Sequence, residues 1–196
     1  MIRAFVGFFT TKRIYEHVER LEEEFKGAMK GKWVDIQNLH MTLQFLGNID
    51  EEKAVEVIKN IQNITERFAP FSIKYRSIGA FPSIEKARIL WIGVGDGSNK
   101  LKAMAKEIKK INKRSGINPD SKPFHPHVTV CRIKEADGKK VSRIIKKYRN
   151  YNFGEDFVNK IALIKSTLTP VSPVYTIIEE FYLRGERNGN IQGSGR

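Results

Sequence analysis

The sequence predicts an α+β protein made of two halves with a similar order of elements. Strand-like apolar runs alternate with amphipathic helices in the order β-α-β-α-β-β-α-β-α-β-β. When the chain is divided near residue 83, each half (1–83 and 84–185) has two strand–helix units followed by further strand. A pattern of His, apolar, Thr, apolar occurs in each half, beginning at residues 40 and 127. If the halves fold alike, the two copies could face each other across a cleft.

The individual elements follow from hydrophobic spacing. Apolar residues three or four positions apart predict four helices, over 14–25, 54–68, 101–111 and 141–148. Short apolar runs predict strands over 2–9, 40–46, 71–79, 88–94, 127–133, 157–166 and 175–184. Residues 1–185 are therefore expected to form one domain, and the polar, glycine-rich residues 186–196 are expected to form a flexible tail.

The repeated pattern reads His40-Met41-Thr42-Leu43 and His127-Val128-Thr129-Val130. Because alternate side chains of a strand share one face, each His and its Thr should point the same way while the apolar neighbours enter the core. Two imidazoles facing each other can serve as general base and general acid near neutral pH. The threonine hydroxyls can donate hydrogen bonds to the oxygens of a phosphate. The pattern therefore favours acid/base chemistry on a phosphate over a structural coincidence.

Two polar residues near the motifs are further candidates for binding substrate. Arg132 could hold a phosphate through two hydrogen bonds. Strict alternation, however, places it on the face opposite His127, so it needs a bulge or a strand end to reach the pocket. Gln44 has the same parity as His40 and is expected to be available for a hydrogen bond to substrate.

Aromatic side chains near the motif strands could stack on a nucleobase. Phe124 is such a candidate, as are Phe45 and Trp91, although core packing is favoured for the latter two. His125 precedes the second motif strand between two prolines, so a loop or supporting position is expected for it rather than a catalytic one, and it is a further candidate for binding substrate.

A metal site is the competing interpretation of the histidines. His125, His127 and Cys131 are close in sequence, and with His40 they could suit zinc. The sequence has no C-x-x-C or H-E-x-x-H pattern, and a metal site assigns nothing to the two threonines. We therefore expect neither a metal nor another cofactor.

Charge and composition restrict the partners. The formal net charge is +13, and residues 98–149 carry 16 Lys and Arg against four acidic residues. This concentration favours RNA or a nucleotide as partner, and a solvated helix surface is the alternative. An apolar run of about 18 residues is absent, so no membrane partner is expected. A single cysteine, Cys131, fits a reducing cytoplasm.

The motif regions resemble a known family. The segments 33–47 and 123–132, together with the run 88–94, are similar to the bacterial and archaeal 2′-5′ RNA ligases, also named RNA 2′,3′-cyclic phosphodiesterases, of the two-histidine phosphoesterase superfamily. The resemblance covers roughly residues 1–184. It implies a bilobal fold with two pseudo-symmetric lobes, each with an antiparallel sheet and two helices, and an active-site cleft between the sheets.

The resemblance also implies the reaction. His40 would be the proton donor and His127 the proton acceptor, while Thr42 and Thr129 would bind the phosphate. A terminal 2′,3′-cyclic phosphate of RNA, such as a tRNA-like fragment, would be opened to a 2′-phosphate by water, or to a 2′-5′ linkage by an RNA 5′-hydroxyl. Independently of the resemblance, we expect a monomer. A phosphoesterase for small cyclic phosphates or 2′-5′ oligonucleotides, and a non-catalytic RNA-binding protein, remain as alternatives.

Overall fold

The computed structural model describes residues 1–117 and 123–186, which contain nine strands and four α-helices. The strands are β1 (Ile2–Phe9), β2 (Met29–Trp33), β3 (His40–Ile49), β4 (Phe71–Phe81), β5 (Ile89–Val94), β6 (His127–Ala136), β7 (Asn152–Val158), β8 (Lys160–Thr167) and β9 (Val174–Tyr182). The helices are α1 (Tyr15–Phe25), α2 (Glu51–Thr65), α3 (Ser98–Arg114) and α4 (Gly138–Lys147). Apart from Glu186, the expected tail lies outside the described residues.

All four predicted helices are present, and the strands differ from expectation in two places. Strand β2 was not predicted, because its sequence MKGKW has no apolar alternation. It needs none, since it pairs only with β6 and its middle three residues are exposed. The predicted strand over 157–166 is two strands that separate at Asn159, and they pair with different partners, β7 with β4 and β8 with β1.

The strands form one antiparallel sheet in the order β7-β4-β5-β6-β3-β1-β8-β9, with β2 also paired to β6. Strands β3 and β6 meet through a single residue pair, Met41 and Val128. This junction divides the sheet into a β6 lobe (β7-β4-β5-β6 and β2) and a β3 lobe (β3-β1-β8-β9). Each half of the sequence contributes strands to both lobes, since β4 lies in the β6 lobe while β8 and β9 lie in the β3 lobe.

Two helices cover each lobe, which confirms the bilobal α+β class. Helices α2 and α3 pack together, with α3 against β3 and α2 against β8 and β9. Helices α1 and α4 pack together, and α4 also contacts β4. The apolar stripes predicted from sequence supply the buried faces, such as Val18, Leu21 and Phe25 of α1. Within the described residues, no helix combines the length and apolar character needed to cross a bilayer.

Candidate active site

The two motifs begin the two strands that meet at the centre of the sheet. His40 is the first residue of β3 and His127 is the first residue of β6. The residues that follow them, Met41 and Val128, form the single pair between the strands and are fully buried. The sheet therefore places both motifs at the junction of the lobes, with each His and Thr on the face opposite the buried pair.

Each motif histidine is oriented by the same backbone contact. His40 Nδ1 lies 2.7 Å from the carbonyl oxygen of Asn38, and His127 Nδ1 lies 2.6 Å from the carbonyl oxygen of His125. A carbonyl only accepts, so each Nδ1 must carry the proton and donate it. In both rings this leaves Nε2 as the nitrogen that can accept a proton when the ring is neutral and donate one when it is charged.

Burial lowers the pKa of both motif histidines. For His40 the main cause is desolvation, to which the positive charges of His127 and Arg132 add, while the bond to Asn38 opposes the shift. For His127 desolvation again dominates, the bond to the His125 carbonyl opposes the shift, and the charge of the His125 ring adds to it. Since His127 affects the pKa of His40, the two rings are close enough to interact electrostatically.

Aromatic rings surround each imidazole on its own side. The ring centroid of His40 lies 4.8 Å from those of both Phe5 and Tyr175. The ring centroid of His127 lies 5.1 Å from that of Phe81 and 6.2 Å from that of Trp91. These rings restrict the imidazoles sterically and supply the low-polarity surroundings that depress their pKa.

Two grooves meet at the motifs. The His40 groove, about 480 Å³, is lined by His40, Thr129, Arg132, Arg3, Lys32 and Tyr175 among others. The His127 groove, about 600 Å³, is lined by His127, His125, Phe81, Pro82, Phe124 and Gln44 among others. Thr42 and Phe45 line both grooves, so the grooves adjoin at the first motif.

A bulge brings Arg132 into the His40 groove. The register between β5 and β6 shifts at this point, from Trp91 opposite Thr129 to Leu90 opposite Cys131, so Val130 is the extra residue. Val130 and Cys131 are both buried, and Arg132 emerges on the face of the motif. Arg132 therefore reaches the pocket through a bulge, which the alternation of side chains along the strand had required.

An equivalent bulge in β3 moves Gln44 away from the position that its parity predicts. Gly7 of β1 pairs with Thr42 but Val6 pairs with Gln44, so Leu43 is the extra residue. Gln44 is consequently buried, and its Oε1 accepts a hydrogen bond from Asn112 of α3 at 2.7 Å. The prediction that Gln44 shares the exposed face of His40 was therefore wrong. Gln44 is held by Asn112 of α3 and still lines part of the His127 groove.

Phe45 takes the exposed place that was expected for Gln44. It is 37% exposed and lines both grooves, and the guanidinium of Arg3 lies 4.6 Å from its ring centroid. The preference for core packing was therefore wrong for Phe45. Trp91 is half-buried against Gly79, where an added Cβ would come within 2.3 Å of the indole, and it packs on His125 with ring centroids 4.8 Å apart.

The remaining expected residues divide between the groove and the core. Phe124 and His125 line the His127 groove. Cys131 is fully buried, and desolvation raises its pKa to about 12. Among residues 1–117 and 123–186, no group of three or more His, Cys, Asp or Glu side chains is placed to hold a metal ion. The ligand set that sequence proximity suggested around Cys131 does not assemble.

Several groove residues were not predicted. Arg3 and Phe5 come from β1, Lys32 from β2 and Tyr175 from β9, all remote in sequence from the second motif. Their lining positions depend on the strand order, which no local pattern reveals. The one signal in the sequence was the charge of Arg3 near the start of an otherwise apolar strand.

The two basic helices lie in different lobes. Lys109 of α3 lines the His127 groove. Burial lowers the pKa of His125, and the charge of Lys102 of α3 adds to that shift. Within the described part of the chain, no α4 residue lines either groove. Two of the α4 lysines are paired instead, Lys140 with Asp137 and Lys147 with Glu24. The positive charge near the site therefore comes from α3 and from Arg3, Lys32, Arg88 and Arg132.

Comparison with known proteins supports the duplicated architecture. A family model described as LigT-like phosphoesterase matches residues 9–91 and again residues 92–175. A protein of Aquifex aeolicus named RNA 2′,3′-cyclic phosphodiesterase is 56% identical over 186 residues, which cover 94% of this chain and 99% of that protein. A protein of Methanocaldococcus jannaschii with the same name is 38% identical over 182 residues, covering 92% of this chain and 100% of that protein.

Solved structures show the same fold. The crystal structure of TT0787 of Thermus thermophilus matches with a TM-score of 0.80 and 26% identity, over 95% of this chain and 100% of that chain. The crystal structure of E. coli LigT complexed with 3′-AMP matches with a TM-score of 0.72 and 22% identity, over 93% of this chain and 98% of that chain. At 22% identity, the second match is evidence for the fold alone.

Proposed function

Because the chain belongs to the LigT-like phosphoesterase family, we propose that it is an RNA 2′,3′-cyclic phosphodiesterase that opens terminal cyclic phosphates to 2′-phosphates. The observation that carries the proposal is the pair of motif histidines, each with Nδ1 bonded to a carbonyl and Nε2 left for proton transfer. Relatives at 56% and 38% identity bear the name of this activity over nearly the whole chain.

The mechanism needs one proton to leave the nucleophile and another to reach the leaving oxygen. His127 accepts the proton of the attacking water through Nε2, and His40 donates its Nε2 proton to the ribose 3′-oxygen as the P–O3′ bond breaks. This division follows the resemblance of the motifs, since both rings have the same tautomer. One ring must be neutral and the other charged when the substrate binds.

The phosphate is held between the motifs. The hydroxyls of Thr42 and Thr129 donate to the non-bridging oxygens, where negative charge accumulates during phosphoryl transfer. Arg132, brought into the His40 groove by the bulge, supplies a guanidinium for the same phosphate or the next one. No cofactor takes part in this scheme.

The His40 groove suits the body of the RNA. Arg3, Lys32 and Arg132 place three cationic side chains along it for backbone phosphates, and the Tyr175 ring offers a stacking surface for a base. RNA ends bearing a cyclic phosphate, including tRNA-like fragments, are the proposed substrates. We place the protein in the reducing cytoplasm, because its single cysteine cannot form an internal disulfide, and we propose that it acts as a monomer.

The test is incubation with a short RNA ending in a 2′,3′-cyclic phosphate, in EDTA, followed by mapping of the product ends. A 2′-phosphate product is expected, and the same RNA with a 3′-phosphate end is the control substrate. Absence of turnover, with RNA still bound, would support a non-catalytic RNA-binding protein instead. Turnover of small cyclic phosphates without turnover of the RNA would support the small-substrate alternative.

A further inference from the structure

The side chain of Asp156 is buried, although the proposed mechanism gives it no part. It lies on β7, the edge strand of the β6 lobe, and the residue is 4% exposed. A buried carboxylate is unfavourable unless hydrogen bonds replace its contacts with water. The donors that surround Asp156 therefore show what this carboxylate holds together.

Three donors satisfy the Asp156 carboxylate. The Tyr75 hydroxyl of β4 donates to Oδ2 at 2.8 Å, from a diagonal position on the neighbouring strand of the same lobe. Burial, together with the nearby Asp156 carboxylate, raises the pKa of Tyr75, so this hydroxyl remains a donor. The other two donors belong to Thr11, whose backbone N–H donates to Oδ2 at 3.0 Å and whose hydroxyl donates to Oδ1.

Thr11 lies where the chain passes from one lobe to the other. Strand β1 of the β3 lobe ends at Phe9, and the short 3₁₀ turn Lys12–Ile14 leads into α1, which packs with α4 on the β6 lobe. This turn lies against β7, and the Thr11 hydroxyl oxygen caps it by accepting from the backbone N–H of Arg13 at 3.5 Å. The bonds from Thr11 to Asp156 therefore fix the crossover between the lobes.

The residue before Thr11 holds the start of β3. Thr10 donates twice to the carbonyl oxygen of Leu39, from its backbone N–H at 3.0 Å and from its hydroxyl at 3.3 Å. Leu39 is fully buried and directly precedes His40. The backbone of His40 is thus fixed from β1, while its Nδ1 is fixed by the carbonyl of Asn38. A displacement of Thr10 would therefore be transmitted to the imidazole.

The second motif histidine is held in a different way. Nδ1 of His127 is bonded to the carbonyl of His125, and its ring packs against Phe81 of β4 and Trp91 of β5. None of these residues takes part in the hydrogen bonds of Asp156 described above. The link from Asp156 therefore begins in the lobe of one histidine and ends at the other histidine.

We propose that Asp156 is a positioning residue that sets the place of His40 relative to His127. The carboxylate anchors Thr11 to the β6 lobe, and Thr10 transmits this anchor to the start of β3. The two imidazoles must keep their separation, because each transfers a proton on its own side of phosphorus and a misplacement of about 1 Å slows such steps strongly. The inference rests on the proposed function, in which His40 is the general acid.

The first experiment removes the link and measures turnover of a short RNA with a 2′,3′-cyclic phosphate. Thr11→Val keeps the side-chain shape and removes the hydroxyl donor, and it should lower kcat severalfold. Asp156→Ala removes the acceptor and should lower kcat about tenfold. KM should stay nearly unchanged, since neither residue lines the two grooves of the site. Rates are taken per folded enzyme, at a temperature well below the Tm of every variant.

Imidazole NMR supplies a readout that a loss of stability alone does not move. The ring-nitrogen signals of His40, assigned by their absence in His40→Ala, should shift and broaden in Thr11→Val because the start of β3 is held less firmly. The signals of His127 should keep their wild-type positions, since its ring is held within the β6 lobe.

Three further variants separate positioning from stability. Tyr75→Phe removes a donor to the same carboxylate within one lobe, so it should lower the Tm about as much as Thr11→Val and leave kcat and the His40 signals unchanged. Thr11→Ser retains the hydroxyl donor. Asp156→Asn retains an oxygen that can accept from the Thr11 N–H and an amide that can donate to the Thr11 hydroxyl. Both conservative variants should recover most of the lost kcat.

The outcomes distinguish this inference from the proposed function. A wild-type kcat in Thr11→Val, or wild-type His40 signals in that variant, would refute the link. An equal loss of kcat in Tyr75→Phe would also refute it, because the carboxylate would then act through the stability of its own lobe. If Asp156→Ala does not fold, Thr11→Val and Thr11→Ser decide the question. An enzyme that opens no cyclic phosphate would refute the proposed function, whereas the His40 signals would still test the link.

Discussion

The active site has two half-sites, residues 40–45 of β3 and residues 127–132 of β6. They are alike as far as the bulge that each strand contains, and they differ after it. Both have a histidine bonded through Nδ1 to the carbonyl two residues before it, and a threonine two residues after it. Both have one extra residue after the threonine, Leu43 in β3 and Val130 in β6. After the bulge the same position on the groove face is occupied by Phe45 in one strand and Arg132 in the other.

The difference separates two kinds of requirement. Proton transfer and phosphate binding need matched groups on both sides of phosphorus, so the equivalent positions carry the same residues. The groove surfaces bind different parts of the substrate, so the positions beyond the bulge carry an aromatic ring in one half and a cation in the other. At the centre of the site, the duplication therefore extends to the identity of the side chains. Beyond the bulges only the backbone arrangement is repeated, and the side chains differ.

The largest expected effect tests the matched part of the half-sites. His40→Ala and His127→Ala should each reduce turnover of the cyclic phosphate by at least ~100-fold, because each removes one partner of the general acid–base pair. Turnover in EDTA and circular dichroism are the measurements, and the fold should be retained. His17→Ala, a histidine on α1 that packs against Tyr151 and Phe153, is the control.

A marked asymmetry between the two histidine variants would break the comparison. Near-normal turnover in either one would remove that ring from proton transfer. Loss of wild-type activity in EDTA, with recovery on adding zinc, would show that a metal takes part in the reaction.

The threonines should give smaller and similar losses in the two half-sites. Thr42→Val and Thr129→Val keep the side-chain shape and remove the donor, and each should lower kcat by ~10–1000-fold, as expected for losing one donor to a charged oxygen. Thr42→Ser and Thr129→Ser retain the hydroxyl and should recover most of the rate. Single-turnover kinetics isolate the chemical step, and wild-type rates in both valine variants would contradict the phosphate contacts.

The sequence was sufficient for the matched part of the site because its signal is local. Each motif lies in a strand whose buried residues alternate, so parity alone places His and Thr on one face. The four helices were predictable for the same reason, since an amphipathic stripe is visible in a short window. The family resemblance then added the bilobal arrangement, which no single window contains.

The periphery could not be predicted because one inserted residue reverses the parity of everything after it. The bulges at Leu43 and Val130 exchange the expected positions of Gln44 and Phe45 and turn Arg132 into the groove. Neither bulge has a glycine or proline next to its extra residue in the motif strand. Strand β2 escaped detection because an exposed edge strand has no hydrophobic pattern.

The pH dependence tests whether the two half-sites share the same electrostatic environment. Burial disfavours the charged imidazolium, so the pKa of each motif histidine is lowered and protonation requires a more acidic solution than for free histidine. The profile of kcat/KM should be bell-shaped, with both limbs on the acid side of about 6.5. NMR titration of the free enzyme should give two coupled midpoints in that range. A midpoint above that of free histidine would contradict the direction of the shifts.

The smallest expected effect compares the two basic helices. Lys102→Glu with Lys109→Glu changes α3 beside the His127 groove, and Lys139→Glu with Lys146→Glu makes the same change of charge on α4. Phosphate contacts release counterions, so the α3 pair should raise KM severalfold, and flatten its salt dependence, for an RNA long enough to extend from the His40 groove to α3. The α4 pair should change neither the KM nor its salt dependence, because no described residue of α4 lines either groove of the site.

A dinucleotide cyclic phosphate, too short to reach beyond the grooves, should respond less than the long RNA to the α3 change. Equal effects of the two pairs on the long RNA would mean that the enzyme responds to its total charge and not to the lobe that carries it.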